Sequence, residues 1–73
     1  MRASEEFIIT NIIKKLRNLA EIKQEELAEM VGVSRQTISA MENGNYSPSL
    51  QLAFQIAEVF NKTIEEVFQI SKK

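Results

Sequence analysis

The stretch GVSRQTISAMENG, from Gly32 to Gly44, carries the side chains in this chain best suited to specific recognition chemistry. Ser34, Arg35, Gln36, Thr37 and Ser39 fall where an ordinary helix surface would hold Glu, Lys or Ala. They are middling helix formers but versatile hydrogen-bonding groups. An arginine fork pairs bidentately with guanine, a glutamine carboxamide with adenine, and Ser or Thr hydroxyls adapt to either. Enzyme chemistry has little to work with. The sequence contains no His, Cys or Asp, so the common nucleophile–base pairs, metal triads and disulfides cannot be assembled. No cofactor or metal is expected, and no enzymatic activity. The glutamates fall mostly on helix faces beside polar residues, where solvation explains them.

These residues must be held by a small scaffold. A chain of 73 residues makes one small domain with a marginal core. Without cysteine or histidine, a partner subunit is the support to look for. Two glycines and one proline leave little room for hairpins, and apolar residues recur at intervals of three and four, which predicts an all-α domain. The first amphipathic run holds Ile12, Ile13, Leu16 and Leu19, capped by Thr10 or Ser4. Phe7, Ile8 and Ile9 either extend that helix or form a separate arm, so residues 1–9 stand apart from a domain over residues 10–70. A second run, QEELAEMV, turns Leu27, Ala28 and Val31 to one side. Gly32 stops it, because glycine accepts the left-handed conformation that closes a helix. Ser34 caps a third helix that buries Ile38 and Met41 and ends near Asn43 and Gly44. Ser47 or Ser49 caps a fourth through Leu50, Ala53, Ile56, Ala57 and Phe60. TIEE, Thr63 to Glu66, is a capping box, opening a short fifth helix with Ile64, Val67 and Phe68 inward. Phe54, Phe60 and Phe68 read as core or dimer surface, not as a stacking platform.

Only GVS separates the second helix from the third. Helices joined so tightly cross steeply, with glycine as the usual device. In that helix-turn-helix arrangement the second helix lies in the major groove with its N-terminal residues on base edges. The hydrogen-bonding face then has a purpose: it is built to meet bases. The net charge of −1 excludes an indiscriminate polycation but not DNA, since charge separated across a small domain is enough to orient it. No run of 18 apolar residues marks a membrane span. Glu5 and Glu6 stand where a signal peptide turns apolar, so the expected compartment is cytoplasmic.

QEELAEMVGVSRQTISAMENG, followed by SPSLQLAFQIAEVF and TIEEVF, resembles the phage repressor and Cro family of helix-turn-helix regulators, in particular its short stand-alone bacterial members. The resemblance spans roughly residues 10–68. It implies a compact five-helix domain, a transcriptional regulator of the repressor kind, and no small-molecule ligand. Carried over position by position, Arg35, Gln36, Ser39 and Ala40 face the bases. A solvated role is the plain alternative for Arg35, and close packing for Ser39 and Ala40. Ser34 sits at the helix tip within reach of a base or phosphate. Gln24 binds phosphate through its side chain and the helix N-terminus. Asn43, Gly44, Asn45 and Tyr46 clasp the phosphate backbone. The resemblance also pairs Arg17 with Glu42 inside the protein.

Three positions depart from the family. Lys23 replaces the Ser or Thr that usually caps the second helix, which costs about 1 kcal/mol; a phosphate contact is the compensating role expected of it. Glu21 and Asn61 stand where glycine is usual, and Glu21 leaves the first turn undefined. One such domain covers few base pairs, so double-stranded DNA with two half-sites about 34–36 Å apart calls for a homodimer. Phe68 and Ile70 are the expected contacts, with Phe7, Ile8 and Ile9 joining them or folding back on their own monomer. The rival reading is a protein-interaction module of the same fold for a toxin or sigma factor, motivated by Glu25, Glu26 and Glu29 on the second helix.

Overall fold

In the computed structural model, which describes residues 7–72, the helical core is framed by two terminal strands. Their order is β1 (Phe7–Asn11), α1 (Ile13–Leu19), α2 (Gln24–Val31), α3 (Arg35–Glu42), α4 (Leu50–Val59), α5 (Ile64–Val67) and β2 (Phe68–Lys72). The sequence patterns that define the helices also define their ends. Ser34 Oγ accepts the Thr37 N–H at 3.2 Å, and Ser49, not Ser47, caps α4 by accepting the Leu52 N–H at 3.1 Å. The TIEE box closes α5 in both directions. Thr63 Oγ1 accepts the Glu66 N–H at 3.2 Å, and Glu66 Oε1 accepts the Thr63 N–H at 2.8 Å.

Each helix sends at least one side chain to a common centre. Ile13, Leu27, Ile38, Met41, Ile56 and Val67 are fully buried, and Val33, Phe60, Ile64 and Phe68 pack around them half-buried. Burying such a side chain stabilises by roughly 1.5–3 kcal/mol, so this shared centre, and not any isolated helix, holds α2 and α3 in place. Leu19, expected inward, is exposed, as are Leu50 and Phe54. Each lies beyond the narrow stripe that its helix turns to the centre.

The ends of the chain correct the all-α expectation. β1 and β2 pair antiparallel, with Phe7 opposite Lys72, Ile9 opposite Ile70 and Asn11 opposite Phe68. Residues 7–9 are therefore strand and not an extension of α1. Aromatic and β-branched residues favour extended chain, but FIITNII shows neither helical nor alternating periodicity. Its partner lies at the opposite end of the chain, so no hairpin turn announces the pairing. Thr10 does not cap helix α1, whose N-cap is Ile12 without a side-chain cap. Asn11 Oδ1 accepts the Ile13 N–H at 3.1 Å in place of Thr10, while Ser4 lies outside the described residues. Among the described residues, no helix is long and apolar enough to cross a membrane.

Glu21 and Asn61 define their turns as glycine would, at φ 57° and 55°. Asparagine tolerates this left-handed region, whereas glutamate occupies it at a cost of roughly 1–2 kcal/mol. The rest of the turn is well tied: the Ile22 N–H donates to Arg17 O at 2.9 Å.

Candidate nucleic-acid interface

The geometry begins at the turn between α2 and α3. Gly32 takes φ 75°, and the Val33 N–H returns to Ala28 O at 3.0 Å. A Cβ on Gly32 would meet nothing within 4 Å, so the glycine is needed for its backbone angle and not for space. Half-buried Val33 then anchors the turn to the core. Ser34 caps α3 and lies 3.0 Å from Thr37 Oγ1, so both hydroxyls are engaged in shaping the helix start. Thr37 thereby supports the turn.

With Ile38 and Met41 buried, α3 turns its opposite side outward. Arg35 and Gln36 are exposed, and Ser39 and Ala40 half-buried on the same surface. Helical periodicity brings positions 35, 36, 39 and 40 together, so the four residues expected to read bases form one patch. Beyond it the chain turns at Gly44, φ 79°. There the Gly44 N–H donates to Met41 O at 3.1 Å and the Asn45 N–H to Ala40 O at 2.8 Å. Asn43, Gly44, Asn45 and Tyr46 are all exposed, in a turn fixed by hydrogen bonds to the last residues of α3.

At the end of α3, beside the patch, lies a polar network. Arg17 Nε donates to Glu42 Oε2 at 2.8 Å and Nη2 to Oε1 at 3.4 Å, while Nη1 donates to Ile22 O at 2.9 Å. The two side chains are 11% and 3% exposed, so this is an internal pair. Gln24 completes it, with Nε2 donating to Glu42 Oε1 at 2.9 Å. The Gln24 side chain thus serves the protein first. One amide hydrogen and its carbonyl oxygen are left for an outside partner. The network joins the end of α1, the start of α2 and the end of α3, fixing the two helix-turn-helix segments against each other.

Lys23 holds the N-cap of α2 without a hydroxyl to accept from the helix. Only half of a capping box forms, the Lys23 N–H donating to Glu26 Oε1 at 2.8 Å. The ammonium is exposed beside the start of the helix. Among the described residues Arg17–Glu42 is the only ion pair, so Lys23 and Arg35 present unpaired cations. The acidic Glu25 and Glu29 are exposed on the same helix as Lys23.

Asn11 is the contributor that sequence reasoning missed. Its Nδ2 donates to Met41 O at 3.0 Å, joining β1 to the end of α3. An Asn just ahead of an amphipathic run is a capping signal that points to Ile13. Nothing local to Asn11 points to Met41.

Comparison with known proteins gives a consistent result. The family model for helix-turn-helix matches residues 13–67. The chain is 53% identical over 58 residues to an uncharacterized HTH-type transcriptional regulator of Methanocaldococcus jannaschii, covering 80% of this chain and 88% of that protein. It is 44% identical over 63 residues to the uncharacterized HTH-type transcriptional regulator YgzD of Bacillus subtilis, covering 86% and 96%. The crystal structure of the transcriptional regulator VanUg superposes with a TM-score of 0.76 at 23% identity, covering 100% of this chain and 97% of that one. At that identity it speaks for the fold alone.

Proposed function

The chain belongs to the helix-turn-helix family, of the phage repressor and Cro type, and from that premise we propose that it is a sequence-specific double-stranded DNA-binding transcriptional repressor acting as a homodimer. The observation that carries this reading is the outward patch of Arg35, Gln36, Ser39 and Ala40 on a helix whose end is held by Arg17, Glu42 and Gln24. A rigid helix with hydrogen-bonding groups on one side suits base edges in the major groove. Arg35 and Gln36 make the bidentate contacts, Ser39 and Ala40 the closer ones. Lys23, the free part of Gln24, Ser34 and the Asn43–Tyr46 turn hold phosphates, which set the register of the protein on the duplex.

The relatives named as transcriptional regulators support regulation as the outcome. Repression follows most simply from a bound dimer that blocks a promoter. Dimerisation draws on exposed apolar side chains of the terminal strands. Ile70 is 64% exposed, and Phe7, Ile8 and Ile9 are each about half exposed. Phe68 contributes less area because it is half-buried against its own core.

The test is selection of bound fragments from random duplexes, followed by anisotropy titrations on the selected site. Gln36→Ala should lose discrimination at one base pair per half-site, roughly 1–3 kcal/mol. An equal loss on cognate and scrambled duplexes would remove Gln36 as a reader. Absence of any salt-sensitive DNA binding at low ionic strength would point to a protein partner at the acidic face of α2.

A further inference from the structure

We propose that Asn11 is a positioning residue, tying the terminal sheet to the last turn of α3 so that the Asn43–Tyr46 turn keeps the shape in which it meets DNA. The consequence for DNA rests on the function proposed above; the tether itself does not.

Asn11 is held on every side. It ends β1 opposite Phe68, and the next backbone N–H, that of Ile12, donates to Val67 O at 3.0 Å. Both ends of its carboxamide are used. Oδ1 accepts from Ile13 N at 3.1 Å, and Nδ2 donates to Met41 O at 3.0 Å across 30 positions of sequence. Met41 O is one of the last carbonyls of α3, which lack a donor within the helix. It also accepts the Gly44 N–H at 3.1 Å. One carbonyl therefore carries both the closure of the turn and the link to the sheet.

Few side chains can replace this one. The role needs an acceptor and a donor a short reach apart, which a primary carboxamide provides. Aspartate keeps only the acceptor, and serine is too short to span both partners. The sheet also lies directly beside the turn: Phe7, Ile9 and Asn11 share a cavity lining with Met41, Gly44 and Tyr46. Any partner or second copy that steadies the strands therefore acts on the turn through Asn11, and DNA held by the turn acts back on the strands by the same amount.

The discriminating variant is Asn11→Asp. It retains the acceptor for Ile13 N and places a negative charge at the start of α1, where the helix dipole favours it. It deletes the donor and sets a carboxylate oxygen against the Met41 carbonyl. In the free protein, amide exchange at Gly44 and Asn45 should accelerate about tenfold, equivalent to one net hydrogen bond, with exchange in α4 unchanged. On the selected duplex, affinity should fall about tenfold with little change in salt slope, because Asn43, Gly44, Asn45 and Tyr46 carry no charge and their phosphate contacts neutralise no phosphate. Asn11→Ser, which keeps an oxygen acceptor near Ile13 N but is too short to reach the Met41 carbonyl, should behave alike and serves if the aspartate variant does not fold. Wild-type exchange at Gly44 and Asn45 in a folded variant overturns the tether. So does a uniform acceleration through all helices, which marks a general loss of stability. Faster exchange with unaltered affinity overturns the link to DNA. If the wild-type protein binds no duplex, the proposed function fails while the exchange data still decide the tether.

Discussion

Replacing Glu42 by alanine tests whether the network at the end of α3 holds the two helix-turn-helix segments together. The substitution removes the 2.8 Å and 3.4 Å hydrogen bonds from Arg17 and the 2.9 Å hydrogen bond from Gln24. Arg17 keeps only Ile22 O and is left as a charge 11% exposed without its counterion. Removing one partner of a buried pair costs about 3–5 kcal/mol. A domain of 73 residues has roughly 4–11 kcal/mol of total stability at typical values per residue. The variant should therefore stand near the edge of unfolding, with Tm lowered by about 12–40 °C at roughly 4–8 °C per kcal/mol. Arg17→Met combined with Glu42→Leu should recover much of the loss, because an apolar pair leaves no charge stranded. The assay is urea and thermal denaturation followed by circular dichroism, run as a double-mutant cycle with each single change. A Glu42→Ala cost under about 1 kcal/mol, or a double variant costing as much as the two singles together, would refute the reasoning.

Glu21→Gly should raise stability by about 0.5–1 kcal/mol by relieving the left-handed φ of 57°, and an unchanged or lower urea midpoint contradicts it. Lys23→Ser should complete the capping box begun by Glu26, adding about 1 kcal/mol of stability. The same change should weaken DNA binding and flatten the salt slope by about 0.9; an unaltered slope removes the phosphate role of Lys23. The Glu66 carboxyl is held below its ordinary value chiefly by the backbone N–H of Thr63. Its contribution to stability is present above the unfolded carboxylate range and is lost as pH falls through the folded value. An NMR titration of Glu66 with its midpoint at or above 4.5 would contradict that sign. Ile70→Lys should shift the protein to monomer in analytical ultracentrifugation with little effect on Tm, and an undisturbed dimer would relocate the interface.

What the sequence determines by itself is the structure set by near neighbours. Ser34 and the Thr63–Glu66 box cap amides three residues on, so the starts of α3 and α5 are legible without a fold. Spacing alone leaves Ser47 and Ser49 equal for α4 and does not single out Asn11 ahead of α1. Gly32 marks the turn because one backbone angle decides it. The hydrogen-bonding face of α3 follows from helical period once Ile38 and Met41 are placed inside. The Arg17–Glu42 pair is legible only through family resemblance, since the partners stand 25 positions apart. Only the tertiary structure decides which distant surfaces meet. The burial of Ile13, Leu27, Ile56 and Val67 in one centre turns Leu19, Leu50 and Phe54 to the surface, although their spacing alone allows either side. The same packing pairs β1 with β2 from opposite ends of the fold and draws Gln24 into the ion pair. It also carries Asn11 to the Met41 carbonyl. A side chain's first hydrogen bond is chosen by its neighbours along the chain, and its second by whatever the fold brings within reach.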